Sequence, residues 1–241
     1  MPELHPATRG FADSDRYERG RPDYPPSAVA ALCSELDLRP GRTVLDLAAG
    51  TGKLTRLLVP SGANVLAVEP MREMRAKIGG VVALSGTAER IPITDGFVDA
   101  VTVGQAFHWF DAERALREIH RVLSPGGGVG LIWNARDERQ PLQAALSEIF
   151  DRYEGDTPRR QQRDWKTVLA GSGLFDGTKR LLFSHSQRAD EQLVVDRVLS
   201  VSFMASLPAE EQRRVEREVR ELARDANELH YMTELYLGFR R

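Results

Sequence analysis

Cysteine is almost absent: Cys33 is the single one in 241 residues. No intrachain disulfide and no cysteine-based zinc site can form, and this usage fits a reducing cytoplasm. Long apolar runs are also missing. No stretch approaches the roughly 18 residues that a bilayer-spanning helix needs. The opening MPELHPATRGFADSDRYERG is polar and has no apolar h-region, which predicts no secretory signal. Nor does charge of one sign dominate: Lys+Arg 33 stands against Asp+Glu 35, a formal net charge of −2. A dedicated nucleic-acid binder usually carries a basic footprint, so this balance argues against one, although a local basic patch would escape the argument. Internal repeats and low-complexity segments are lacking too. Together these absences exclude a secreted disulfide scaffold, a membrane span and a collagen-like repeat.

What is present is a globular inventory. The chain is 41% hydrophobic and 28% charged, enough to build a core without a metal or disulfide staple and too apolar for a wholly disordered chain. Its length fits one or two domains of ordinary size. Residues 1–25, rich in Pro, Gly, Arg and Asp, read as an irregular arm. Pro25-Pro26-Ser27 opens a helix whose apolar stripe is Val29, Leu32, Cys33 and Leu36. Cys33 on that stripe reads as a buried structural thiol. After the break at Arg39-Pro40-Gly41, short apolar runs alternate with helical patterns. The runs are Thr43–Leu47, Asn64–Glu69, Val81–Leu84, Val98–Val103 and Val129–Trp133. Helical patterns follow Gly52, span Met71–Lys77 and span Ala112–Leu123, and Ser124–Gly128 reads as a turn. Such alternation means βαβ units and a parallel sheet buried on both faces, with right-handed crossovers. Ligands of such sheets bind outside the carboxyl ends of the strands.

The last hundred residues change character. Helices are expected at Pro141–Tyr153, Asp164–Leu169, Asp190–Leu199 and Ala209–Arg224, and strands at Leu181–Phe183 and Thr233–Phe239. Trp165 and Phe203 either line a pocket or belong to the core, and Val201–Met204 has the look of a lid segment between helices. The run Arg159-Arg160-Gln161-Gln162-Arg163 is either a solvated loop or a surface for an anionic substrate.

The strongest signal is Val44-Leu45-Asp46-Leu47-Ala48-Ala49-Gly50-Thr51-Gly52-Lys53-Leu54-Thr55, a strand running through small residues into a helix. Small residues let a ligand approach the backbone, and the helix start offers free N–H groups. A Walker phosphate loop needs glycine five residues before Gly52-Lys53 and Ser or Thr after; Leu47 and Leu54 stand there. A dinucleotide fingerprint needs Gly or Ala where Thr55 stands, and Asp46 would repel a pyrophosphate. That charge points instead to a cationic ligand without phosphate, unless the loop is simply a tight strand–helix turn that holds no ligand. Glu69 ends the second run about 20 residues after the loop, the spacing at which an acid meets ribose hydroxyls. Met71 either packs on an adenine face or joins the core.

These residues resemble the first motif of the class I methyltransferases, acidic-x-Gly-x-Gly-x-Gly, with Asp46, Ala48, Gly50 and Gly52 in the matching positions. Ala48 replaces the first glycine, which should tighten the loop slightly. The segment Gly86-Thr87-Ala88-Glu89-Arg90-Ile91-Pro92 resembles the part that meets adenine in methyltransferases of small molecules. An acidic residue often occupies the position of Thr87 there; with threonine in its place the adenine amino contact falls instead to the backbone at Ala88 or to the Glu89 side chain, and Thr87 stays among the expected cofactor-binding residues. Two further stretches, Tyr17–Pro25 and Gly104-Gln105-Ala106-Phe107-His108-Trp109-Phe110-Asp111, resemble the trans-aconitate methyltransferase-like branch. The resemblance covers residues 10–135.

It implies a Rossmann-like three-layer α/β sandwich whose mostly parallel seven-stranded sheet has an antiparallel C-terminal strand and helical additions. It implies one domain over 1–241: an arm at 1–25, a cofactor-binding core at 26–135, and a C-terminal half at 136–241 with helical substrate-cap elements. The cofactor implied is S-adenosylmethionine, leaving as S-adenosylhomocysteine. By the same resemblance Tyr17 and Arg21 close the pocket, Arg21 either pairing with the methionine carboxylate or packing on the surface of the arm, and Gln105 faces the methionine end or the methyl group. His108 is a general base or, with Phe107, Trp109 and Phe110, an aromatic wall. No metal, nucleic acid or membrane partner is implied. The expected protein is a cytoplasmic monomer or homodimer that methylates a small molecule. An RNA or protein methyltransferase and a non-catalytic cofactor-binding module are the alternatives, with an oxidoreductase further off. Methyl transfer from a sulfonium is an in-line displacement, and alignment is the protein's main contribution. A carboxylate acceptor needs no base, whereas a hydroxyl or ammonium must first lose a proton.

Overall fold

The computed structural model describes residues 19–155, 157 and 164–241. Tyr17 and the Arg159–Arg163 run lie outside the described residues. The chain divides into two compact units. The larger comprises Tyr24–Asn134, Pro158–Phe183 and Thr233–Arg241; the smaller comprises Met1–Asp23, Ala135–Thr157 and Ser184–Met232.

Seven strands form one sheet in the order β3-β2-β1-β4-β5-β7-β6. They are β1 (Thr43–Leu47), β2 (Asn64–Val68), β3 (Val82–Leu84), β4 (Val98–Gly104), β5 (Leu123–Arg136), β6 (Phe175–Arg188) and β7 (Glu228–Arg240). β1 pairs in parallel with β2 and β4, β2 with β3, and β4 with β5. The order reverses at β1, so the β1 and β4 carboxyl ends flank the switch point where α/β sheets take ligands. β7 lies between β5 and β6 and makes the C-terminal hairpin antiparallel.

In the larger unit, α1 (Pro26–Glu35) and α2 (Lys53–Leu58) cover one face of the sheet. The other face is covered by α4 (Ala112–Val122) and α6 (Trp165–Gly171), while α3 (Arg72–Arg75) follows β2. Strand alternation sorts the side chains. Leu45 and Leu47 of β1 join the core on the α4 side, whereas Val44 joins the core under α1. Asp46 therefore faces the α2 side. Helix α1 lies so close to β5 that a Cβ on Gly130 would stand 2.5 Å from Leu32 Cδ1. A larger residue there would have to push the Leu32 side chain aside.

The smaller unit has its own core. Helices α5 (Pro141–Asp151), α7 (Glu191–Leu199), α8 (Ser202–Ala205) and α9 (Ala209–Leu222) pack with Leu229 and Tyr231 of β7. The supposed lid segment is part of this core: Phe203 is 9% exposed and Met204 fully buried. Phe203 packs edge-on against Phe150. Trp165 is likewise core, stacked on Trp133 with ring centroids 5.4 Å apart and planes 16° apart.

Several elements outrun their sequence signals. The turn expected at Ser124–Gly128 lies inside β5. There the register shifts from Val98↔Leu123 to Ala100↔Gly128, so the extra residues bulge out of the ladder. β6 extends far beyond Leu181–Phe183. It alternates half-buried and exposed positions, as an edge strand does, and its exposed half carries the polar residues that hide it in the sequence. α3 is shorter than the predicted Met71–Lys77 helix, with Met71 as its N-cap.

Candidate active site

The site is built at the carboxyl ends of β1, β2 and β4 in the larger unit. Three positions of the glycine loop take left-handed backbone: Ala48 (φ 55), Gly50 (φ 60) and Gly52 (φ 83). Glycine adopts this at no steric cost, whereas alanine does so under strain. Ala48 is thus a strained residue at the strand–loop junction. The loop is pinned from β2, since the Ala49 amide donates to the Val68 carbonyl at 3.1 Å.

Glu69 is the hub. It is 5% exposed. Its Oε2 accepts from the Gly50 amide at 2.8 Å and its Oε1 from the Met71 amide at 2.9 Å. Each carboxylate oxygen keeps a second acceptor position. Burial raises its pKa, opposed by the Met71 and Gly50 amides and by the Arg75 charge. Arg75 also donates to the Glu69 carbonyl at 2.7 Å. Met71 itself is half-buried; the core methionine of this turn is Met74, at 5% exposure.

Asp46 sits beneath the loop. It is 1% exposed and accepts from Thr55 Oγ1 at 2.6 Å and from Thr102 Oγ1 at 3.2 Å. Thr102 is its register partner on β4. Burial pushes the Asp46 carboxyl up to about 7, against the pull of those hydroxyls, and the Glu69 charge adds a smaller push. Its observed contacts are ties between β1, β4 and α2. The sequence reading used Thr55 only to exclude a dinucleotide; here it is the group that holds Asp46. Thr102 and Arg75 went unnoticed there. Thr102 is visible only once β1 and β4 are placed in register.

The third segment offers one unused polar atom. Thr87 Oγ1 is sealed from solvent with no hydrogen-bond partner. Ala88 is buried, and the Glu89 carboxylate already accepts from the Asp111 amide at 3.1 Å, where Asp111 caps α4. Among the three adenine candidates, Thr87 has the free capacity. Above the loop there is room, because a Cβ on Gly50 would meet nothing within 4 Å. A buried carboxylate with spare acceptor positions, an orphaned hydroxyl and an open glycine backbone fit the ribose and adenine of an adenosyl ligand.

Beyond β4, Gln105 holds a left-handed conformation (φ 60), and its amide donates to the Ile132 carbonyl at 2.9 Å. His108 lies in the 3₁₀ turn Phe107–Trp109, its ring 5.2 Å from that of Trp109. Phe107 is fully buried and packs edge-on against Phe110 and Trp165. Arg21 belongs to the smaller unit, where it donates to the Ser200 carbonyl at 3.4 Å. Among the described residues no cluster of His, Cys, Asp and Glu could hold a metal, and no helix is long and apolar enough to cross a membrane.

Comparison with known proteins agrees with this geometry. A family model described as a methyltransferase domain matches residues 45–130, the stretch from β1 through most of β5. An uncharacterized methyltransferase of Mycobacterium tuberculosis is 48% identical over 177 residues, 66% of this chain and 71% of that protein. The ubiquinone/menaquinone biosynthesis C-methyltransferase UbiE of Escherichia coli is 37% identical over 130 residues, 48% of this chain and 50% of that protein. The solved YcgJ protein of Bacillus subtilis shares the fold, with a TM-score of 0.60 and 18% identity over 89% of this chain and 98% of that one. A buried acid just past the second strand, a glycine loop beside it and relatives of this closeness meet in one conclusion: the chain belongs to the class I S-adenosylmethionine-dependent methyltransferases.

Proposed function

We propose that this methyltransferase acts on a small-molecule acceptor, in the manner of the trans-aconitate methyltransferase-like branch. The carrying observation is the Glu69 cradle: a buried carboxylate, fixed by the Gly50 and Met71 amides, with acceptor positions left for two vicinal hydroxyls. The near balance of charge and the quinone-biosynthesis name of the UbiE relative support a small acceptor over a nucleic acid.

When bound, S-adenosylmethionine supplies an electrophilic methyl group on a sulfonium. The residues of this chain bind and align. Glu69 accepts from the ribose hydroxyls, Thr87 takes up the adenine edge, and Gly50 and Gly52 let the ligand lie against the backbone. Asp46 stiffens the loop from below through Thr55 and Thr102. Gln105 and the aromatic turn at Phe107–Phe110 shape the reacting end. His108 serves there as part of the wall or takes the proton of a hydroxyl or ammonium acceptor. The segments of the C-terminal half supply acceptor specificity.

Native mass spectrometry of the full chain with S-adenosylmethionine, then an acceptor screen that reads out S-adenosylhomocysteine, tests the reading. The Glu69→Ala variant should bind the cofactor at least tenfold more weakly by calorimetry, since charge-assisted hydrogen bonds are worth about 1.5–3 kcal/mol. Equal affinity in wild type and variant removes Glu69 from the cofactor site. Turnover on RNA or protein substrates alone overturns the small-molecule assignment.

A further inference from the structure

The segment after β3 carries an oxygen that is held in place and has nothing to bond. The segment starts beside Glu69, whose amide donates to the carbonyl of Leu84, the last residue of β3, at 3.1 Å. Thr87 follows within about 11 Å of chain. Its turn is closed twice. The Arg90 amide donates to the Thr87 carbonyl at 3.2 Å, and the two residues form an antiparallel bridge. A Cβ on Gly86 would stand 2.5 Å from Pro92 Cδ and 3.2 Å from Val68 Cγ1. The start and end of the segment therefore lie against each other and against β2.

Helix α4 clamps the outgoing end. Glu118 Oε2 accepts from the Ile91 amide at 2.9 Å. Arg121 donates to both Glu118 oxygens at 2.7 Å, to the Ile91 carbonyl at 3.0 Å and to the Ile93 carbonyl at 2.8 Å. Both backbone groups of Ile91 are thus engaged by α4. The neighbouring acid, Glu89, is drawn to the Asp111 amide at the α4 N-cap. This frame fixes the Thr87 backbone, and a β-branched side chain has few rotamers on a fixed backbone.

The hydroxyl hydrogen keeps its freedom. Thr87 Oγ1 is sealed from solvent without a hydrogen-bond partner, a state that costs stability until some group pairs with it. A threonine hydroxyl has one donor and two acceptor positions, and its hydrogen rotates to suit the partner. A carboxylate only accepts. Purines differ at this point: a 6-amino group donates, and a 6-oxo group accepts. A carboxylate would take the first and repel the second, whereas a hydroxyl serves both.

We propose that Thr87 makes base recognition at this cofactor site ambivalent, so that the site takes S-inosyl (6-oxopurine) ligands as well as S-adenosyl ones. The inference deepens the cofactor reading and rests on its placement of Thr87 at the base. Deamination of S-adenosylhomocysteine would then yield a compound that still occupies the site.

Calorimetry on the full chain compares S-adenosylhomocysteine with S-inosylhomocysteine in wild type, Thr87→Asp and Thr87→Val, with melting curves on the same samples. Wild type should bind the two ligands within about tenfold of each other, because each can pair with the hydroxyl. In Thr87→Asp the preference for the adenosyl ligand should grow by about tenfold or more, since a buried carboxylate would face an oxo group. Thr87→Val keeps the shape and removes the hydroxyl. It should weaken both ligands several-fold and leave their ratio near that of wild type. Loss of stability alone moves both affinities together, so the ratio reports the base contact. A wild-type preference for the adenosyl ligand beyond about tenfold overturns the proposal, because the site then reads the amino group selectively. So does a folded Thr87→Asp with the wild-type ratio. Should Thr87→Asp fail to fold, Thr87→Val decides: wild-type affinity for both ligands takes the hydroxyl away from the base and overturns the proposal. Absence of S-adenosylhomocysteine binding in wild type strikes the cofactor reading itself.

Discussion

Replacing Asp46 with asparagine probes the physics beneath the glycine loop. The Asp46 carboxyl is 1% exposed, and its folded-state pKa stands at about 7 against an ordinary 3.8. At about 1.4 kcal/mol per pH unit, that gap is worth about 4 kcal/mol. The folded protein holds this proton more tightly than the unfolded chain does. The contribution of Asp46 is therefore most favourable below about pH 4. It becomes less so as pH climbs toward 7 and then levels off with the carboxylate fully ionised. Asparagine has the same shape and no charge. Its oxygen still accepts from one of the two threonine hydroxyls, and losing the other bond costs about 1 kcal/mol. Asp46→Asn should therefore match wild type near pH 5 and exceed it by about 3 kcal/mol at pH 8. Urea denaturation from pH 5 to pH 8, followed by tryptophan fluorescence, measures the difference directly. Parallel profiles for the two proteins would refute burial as the dominant force on this carboxyl.

Two further outcomes are expected. At Ala48 the left-handed backbone (φ 55) costs an L residue about 1–2 kcal/mol. Ala48→Gly should change stability by less than about 1 kcal/mol, the relieved strain being offset by the freer unfolded chain. Ala48→Val should lose about 2 kcal/mol or more in thermal melts. For His108, packed beside Trp109 in its 3₁₀ turn, a wall role predicts that His108→Gln lowers turnover less than tenfold and keeps the shape of the pH–rate profile. A loss of about 10²-fold or more, together with disappearance of the acid limb, assigns it the base role.

The parallel half of the fold was legible because buried strands write themselves as short apolar runs, and Thr43–Leu47 and Val98–Val103 are such runs. The glycine loop and Glu69 were legible because spacing along one crossover fixes them. β6 was not, since an edge strand needs only one buried face and its Lys179, Arg180 and Ser184 mask the alternation. The surroundings of Asp46 were hidden for a different reason. Thr102 lies 56 residues away in the chain and reaches Asp46 only through the β1–β4 register. Phe203 and Met204 illustrate the converse. Apolar residues between two helices read equally as a lid or as filling, and only packing in three dimensions separates the two.

All three tryptophans, Trp109, Trp133 and Trp165, belong to the larger unit, and two of them stack nearly face to face. Indole emission and any exciton band of the Trp133–Trp165 pair therefore watch that unit alone. The smaller unit, with no indole of its own, is visible mainly through the far-ultraviolet dichroism of its helices. Recording both signals along one denaturation curve gives a label-free way to ask whether the two units melt as one cooperative body.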